Sequence, residues 1–259
     1  MVSRKKAATA GHGRIGLRAV AVSLFLSVSL AGCALPPSDP LAREAYKEAN
    51  DPLEGLNRTV WGLNEAADIL FLRPAAQVYR EGVPEPVQTV VRNFLRNLSS
   101  PLVIANQLLQ GDFQGASVAT QRMFINTTAG LAGLFDVAAM NGLKYESEDF
   151  GQTLAVWGIP EGPYVVLPLF GPSNVRDALG RTVDTLADPF RLYVTHKDHE
   201  ELILIRGGAN ALETRAGLLE AVDDQRKNSL DYYATVRSLY RQHRTREISD
   251  GNGSHSGSK

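Results

Sequence analysis

The sequence predicts an all-α fold, and three observations carry that prediction. Apolar residues recur at i, i+3, i+4 and i+7 through most of the body, which is the helix period. Helix-opening and helix-closing residues punctuate those stretches in the right order. Alternation of strand type is scarce: residues 164–170 are the one candidate, and Pro168 argues against it.

Taken in order, the first helix is expected at Asp51-Pro52-Leu53-Glu54, with the acid as cap, proline at the first helical position and glutamate at the third. It continues through Leu56, Val60, Leu63 and Ala67. Val91, Phe94, Leu95 and Leu98 form the apolar stripe of the next, opposite Arg92, Asn93, Arg96 and Asn97. Ser100-Pro101 opens another, which ends at Gly111, and residues 113–127 form one more. Beyond Phe190 the spacing of Leu202, Ile205, Ala209 and Leu212 is helical. So are Leu218, Leu219 and Val222, and then Leu230, Tyr233, Val236 and Tyr240.

The middle reads differently. Residues 130–180 hold eight glycines and four prolines that interrupt strongly apolar stretches, and residues 129–140 carry a single charge, Asp136. Such segments are either buried core of a helical globule or re-entrant and interfacial membrane elements. What precedes them favours the membrane. Arg4, Lys5, Lys6, Arg14 and Arg18 lead into an uncharged, mostly apolar run at 19–30, followed by Leu30-Ala31-Gly32-Cys33, and Cys33 is the chain's one cysteine. This is the pattern of a bacterial lipoprotein signal peptide over 1–32, with Cys33 as the lipidation site. Residues 33–50, with Pro36, Pro37 and Pro40, read as lipidated N-terminus and tether. Residues 51–243 form the helical domain, and the glycine- and serine-rich tail at 244–259 is expected to be disordered.

Charge and chemistry narrow the function further. The chain has 27 basic and 28 acidic residues; removing the five basic ones in 1–32 leaves 22 against 28, a net charge of −6. Acyl chains, rather than attraction to anionic lipid, must then hold it to a membrane. Ala34 follows Cys33 where an aspartate would retain the protein at the inner membrane, so the expected location is the periplasmic side of the outer membrane. No catalytic site, cofactor or metal is signalled. His196 and His199 do not match the zinc-helix order, Asp149-Phe150-Gly151 lacks the other kinase motifs, and neither a nucleophile elbow nor a phosphate loop occurs. The acids Glu146, Glu148 and Asp149 read as a solvated loop or a helix cap.

The body's own strings resemble one family. Asp51-Pro52-Leu53-Glu54-Gly55-Leu56-Asn57-Arg58 is similar to the opening signature of the MlaA (VacJ) family of outer-membrane lipoproteins. The likeness continues through Asn93-Phe94-Leu95-Arg96-Asn97-Leu98, Asn106-Gln107-Leu108-Leu109-Gln110-Gly111 and Arg122-Met123-Phe124-Ile125-Asn126-Thr127-Thr128. It then takes in Glu148-Asp149-Phe150-Gly151-Gln152-Thr153-Leu154, Gly162-Pro163-Tyr164-Val165-Val166-Leu167-Pro168, Gly171-Pro172-Ser173 with Arg176-Asp177, and Asp231-Tyr232-Tyr233 with Arg237.

The resemblance implies a ring-shaped helical domain lying in one membrane leaflet, with an amphipathic channel. Through it, phospholipids misplaced in the outer leaflet would be withdrawn and handed to a periplasmic, MlaC-like carrier, with trimeric porins as membrane partners and no nucleic acid. A porin-stabilising structural lipoprotein and a phospholipid-hydrolysing enzyme are the alternatives. Within the domain, Gly130, Leu131, Gly133, Leu134, Phe135 and Asp136 are the candidate gate loop: the glycines free the backbone and the apolar residues meet acyl tails. Close helix packing is the competing role for the two glycines.

Overall fold

In the computed structural model, which describes Asp39, Glu44 and residues 49–253, the body opens with helix α1 (Glu54–Ala67). The expected signal peptide, Cys33 and residues 254–259 lie outside the described residues. Asp51 does not cap this helix. Leu53 takes the cap position without a side-chain bond, and Asp51 is drawn into the interior. The helix passes without a break through a π turn (Asp68–Leu72) into α2 (Arg73–Gly82). Pro74 accounts for the turn: it has no N–H to donate, and its ring crowds the carbonyl of Leu70, so the ladder widens and Arg73 N–H bonds Asp68 O instead.

Helix α3 (Glu85–Gln110) is one 26-residue element, not the two expected on either side of Ser100-Pro101. Pro101 removes a ladder bond, but α4 and α6 pack along the helix and it stays continuous through that position. The Ser99 and Ser100 hydroxyls bond the carbonyls of Leu95 and Arg96 at 3.1 and 3.2 Å. The helix ends as expected, at Gly111 with a left-handed φ of 80°. Side-chain caps then recur down the chain. Asp112 caps α4 (Phe113–Thr128), Asp136 the short α5 (Val137–Met140) and Asp149 the short α6 (Phe150–Val156). Asn174 caps α7 (Val175–Ala187) and Asp188 caps α8 (Pro189–His196). Helices α9 (Glu201–Gly217), α10 (Leu219–Asn228) and α11 (Tyr232–Gly253) complete the body.

One hairpin interrupts the helices: β1 (Tyr164–Leu167) pairs antiparallel with β2 (Gly171–Asn174), Tyr164 opposite Asn174 and Leu167 opposite Gly171. Pro168, which argued against a strand, lies just past β1 in the turn, where no ladder donor is needed. The expected start of a disordered tail at 244 also falls inside an element. Helix α11 continues past it because the Arg244 guanidinium bonds Asp149 and Asp177 at 2.8 Å each.

Neighbour relations among these elements form a closed circuit. α1 packs on the hairpin, the hairpin on α7, α7 on α8, α8 on α9, α9 on α2, and the π turn returns α2 to α1. α3 touches α8 and α9, and α11 packs on α6 and β2. No described helix is long and apolar enough to cross a membrane.

Candidate functional site

The distribution of polarity in this fold is inverted. Among the described residues eleven apolar side chains are buried, against fifteen polar or charged ones. Outside, Phe71, Phe113, Met140, Leu169 and Leu204 are each more than 70% exposed, and many other large apolar side chains stand beside them. A water-soluble protein leaves apolar atoms on its surface but rarely reverses the balance inside, so these faces are built to meet a non-aqueous neighbour. Six of the buried apolar residues form two small clusters, Ala76 with Ala216 and Leu219, and Tyr164 with Val166 and Tyr233.

Polar networks hold the interior instead, and three of them join distant parts of the chain. In the first, Asp51 accepts from Asn57 Nδ2 at 2.7 Å, from Arg237 at 2.8 Å and from the Tyr233 hydroxyl. Asn57 also donates to Tyr164 O at 3.0 Å and accepts from Val166 N–H at 2.9 Å. One heptad on, Asn64 donates to Leu167 O at 2.9 Å and accepts from Leu169 N–H at 2.8 Å. Two amides of α1 thus bond the backbone edge of β1 as a third strand would.

In the second network, Asp177 accepts from Arg176, Arg244, Asn174 and the Tyr240 hydroxyl. Burial alone would raise its pKa, but the Arg244 guanidinium holds the carboxyl below its ordinary value. Beside it, Gly180 of α7 lies so close to Gly151 of α6 that an added methyl would stand 2.6 Å from the Gly151 Cα. The third network joins the π turn to α9 and α10: Asp68 bonds Arg215 at 2.7 and 3.0 Å and Arg226 at 3.2 Å, and Arg73 pairs with Asp223 at 2.7 Å.

The candidate gate loop lies between α4 and α5, close to α3. Its backbone is bonded from Ala132 to Thr127, from Gly133 to Asn126 and from Phe135 to Gly130, at 2.8 to 2.9 Å. Asn93 of α3 donates to Leu134 O at 3.3 Å. Asp136 accepts from Arg122 at 2.8 and 3.0 Å and from Asn126 at 2.9 Å. Methyls at Gly130 or Gly133 would collide with Asn126 or Asn97, so both glycines serve close packing here. Leu131 and Ala132 adopt left-handed φ values of 52° and 59°, costly for side-chain-bearing residues. Leu131 and Phe135 present their side chains outward.

Two open clefts meet at the end of α7. One, about 530 Å³, lies between the hairpin turn and α7 and is lined by Leu167, Phe170, Arg181, Leu186 and Arg191, among others. The second, about 890 Å³, shares Leu186 and Arg191 and continues along α8 and α9 past Leu192, Ile203, Leu204, Glu200 and Glu201. Each combines apolar walls with a few charges, the lining an amphiphile requires. Among the described residues no three metal-ligating side chains converge. His196 closes α8 and His199 pairs with Glu201 at 3.1 Å on the surface. Of the acids noted in the sequence, Asp149 caps α6, and Glu148 accepts from Gln110 at 2.8 Å with its pKa pushed up to about 7 by burial.

The sequence profile of the MlaA lipoprotein family matches residues 49–247. The chain belongs to that family. It is 36% identical over 228 residues to the Escherichia coli K12 intermembrane phospholipid transport system lipoprotein MlaA, with 86% of each chain covered. An uncharacterized protein of Rickettsia bellii is 38% identical over 203 residues, 78% of each. A solved structure presented as the structural basis for maintenance of bacterial outer membrane lipid asymmetry matches with a TM-score of 0.68 at 37% identity. The match covers 76% of this chain and 98% of that one.

The fold explains why the MlaA strings are spaced as they are. Asp51, Asn57 and Arg58 of the opening string meet Tyr233, Tyr164 and Asp231 from the far end and the middle of the body. Asp149 and Gly151 meet Asp177, Gly180 and Arg244. Several residues of the MlaA strings thus tie the two ends of the body to its middle. Sequence reading missed Asn64, Arg181 and Arg191, which lie outside those strings; the one available signal was that Asn57 and Asn64 share a helix face.

Proposed function

We propose that this chain is a lipid-anchored conduit on the periplasmic side of the outer membrane, withdrawing phospholipids misplaced in the outer leaflet and passing them to a periplasmic carrier. The observation that carries this reading is the inverted polarity. Apolar side chains face outward over much of the body and line open clefts along α7, α8 and α9, while arginine–carboxylate and amide networks occupy the inside. Exposing a sixteen-carbon acyl chain to water costs on the order of 12 kcal/mol at about 0.8 per methylene, so a lipid carrier must cover tails throughout while leaving the headgroup a polar route. The exposed apolar surface seats the body in a single leaflet beside a trimeric porin, with Cys33 as the anchor. The residues at 130–136 act as the gate beside the lipid path. Conduction needs no bond chemistry, and the carboxylates of the interior are engaged with arginines and amides.

The test is transfer of a labelled phospholipid from vesicles to a soluble periplasmic carrier. The wild-type chain should move intact lipid, with no lysolipid or fatty acid detected by mass spectrometry. Cys33→Ala should yield a folded protein that no longer fractionates with the outer membrane. A hydrolysis product lost on replacing one Ser, His or Asp of the body would make the protein an enzyme. Absence of any lipid transfer, with an intact porin complex, would make it a structural lipoprotein.

A further inference from the structure

Sixteen arginines fall among the described residues, and twelve have a carboxylate within ion-pair distance. The other four are Arg96, Arg181, Arg191 and Arg246. Arg96 stacks over Tyr145 at 4.8 Å, and Arg246 donates to the Gln242 carbonyl of its own helix. Arg181 and Arg191, by contrast, line the same cleft of about 530 Å³, and no acid shares that lining. The Arg181 guanidinium lies 5.4 Å from the Phe170 ring centroid, and Arg191 reaches only the Thr185 carbonyl, at 3.4 Å. The Thr182 and Thr185 hydroxyls donate to their own helix, at 2.9 and 2.7 Å.

In a body with a net charge of −6 after residue 32, carboxylates are in excess, and this fold places one beside nearly every arginine. Two guanidiniums without one, lining the same largely apolar cleft, make a receptor for an anion that brings its own apolar body. A guanidinium presents paired donors that match the oxygens of a phosphate. We propose that Arg181 and Arg191 bind the phosphodiester of a glycerophospholipid, with its acyl chains lying on Phe170 and Leu186 and running on past Leu192 and Leu204 in the adjoining cleft. Glu200 and Glu201 line only that second cleft, which confines the phosphate to the first. The assignment rests on the conduit reading and adds where along the path the headgroup is held.

The experiment uses the full chain in mild detergent and the double variant Arg181→Gln/Arg191→Gln, with each single variant in parallel. Both side chains are unpaired and at least partly exposed, so melting curves should match the wild type. Calorimetric titration compares dihexanoyl phosphatidylglycerol, dihexanoylglycerol and inorganic phosphate. Phospholipid binding should weaken tenfold or more in the double variant, binding of the phosphate-free glyceride should not change, and inorganic phosphate should bind far more weakly than the lipid. Equal phospholipid affinity in the two proteins would overturn the assignment. So would wild-type binding of inorganic phosphate as tight as that of the lipid, which would mark a simple anion site. Extraction of labelled phospholipid from vesicles separates this failure from that of the conduit reading. Wild-type protein that extracts nothing sinks the conduit, whereas equal extraction by wild type and double variant sinks only the role of the two arginines.

Discussion

Asn57 is the residue on which the interior turns, since its one amide serves Asp51, Tyr164 and Val166 at once. Leaving a buried polar group unpaired costs about 1–3 kcal/mol. Asn57→Ala strands a carbonyl and an N–H together, so a loss of roughly 3 kcal/mol is expected, read as a fall in thermal midpoint of about 6–12 °C. Asn64→Ala, at a half-buried position, should cost about a third of that. Glu148 gives a prediction of opposite sign. Burial first, and the nearby carboxylates after it, raise its folded pKa from 4.5 to about 7, so the folded state favours the protonated form. Its stabilising contribution is complete below the unfolded value and is lost as pH rises through about 7. Glu148→Gln should therefore raise the midpoint at pH 7 and flatten the slope of stability between pH 4.5 and 7, while leaving the low-pH limit unchanged. A variant that keeps the wild-type slope would mean that another group titrates there. Asp177 works the other way: its lowered pKa supplies stability that disappears as pH falls below the ordinary carboxylate range.

At the scale of the element, two prolines separate what local sequence decides from what packing decides. Pro74 reshapes its helix into a π turn, whereas Pro101 leaves α3 continuous because α3 is clasped by four neighbouring helices. A reader of the sequence sees the same residue in the same kind of pattern and has no sign of the neighbours. Glycines divide in the same way. Gly180→Ala drives a methyl into the backbone of α6 and should destabilise by about 1–3 kcal/mol. Gly207→Ala, inside α9 with open space around it, should stabilise by about 0.5–1 kcal/mol. Thermal unfolding of the pair checks both signs, and a destabilised Gly207→Ala would show that α9 has a neighbour at that face. The hairpin was legible only as a doubt about residues 164–170, because much of what holds β1 in place comes from α1, about a hundred residues earlier.

At the scale of the molecule, helix periodicity gave α1, α3, α4, α9, α10 and α11 in their order, but not α2, α7 or α8, nor which face turns inward. Leu63 reads as a core position of the first helix and is exposed here, as are Leu70 and Phe71 beyond it, while Asn57, Asp51 and Arg215 are buried. The stripe is visible in a sequence; the solvent it faces is not. For the same reason the Asp51 cap misread an interior anchor, and the clefts beside α7 had no signature at all. The gate proposed at 130–136 can be tested by its motion. A cysteine pair replacing Asn93 and Leu134, already joined through a hydrogen bond, should leave the thermal midpoint intact when oxidised but stop lipid transfer until reductant is added. Transfer at the wild-type rate in the oxidised protein would confine Gly130 and Gly133 to packing. The asparagine side chains along β1 carry a consequence for coexistence with other chains. A hairpin at a crowded membrane surface invites strand addition and fibrillar growth from its free edge. Here Asn57 and Asn64 occupy the donors and acceptors that a foreign strand would need. The edge is sealed without a third strand, so association through it is closed, and Asn64→Leu should convert a protein of stable size into one that aggregates through this edge over time.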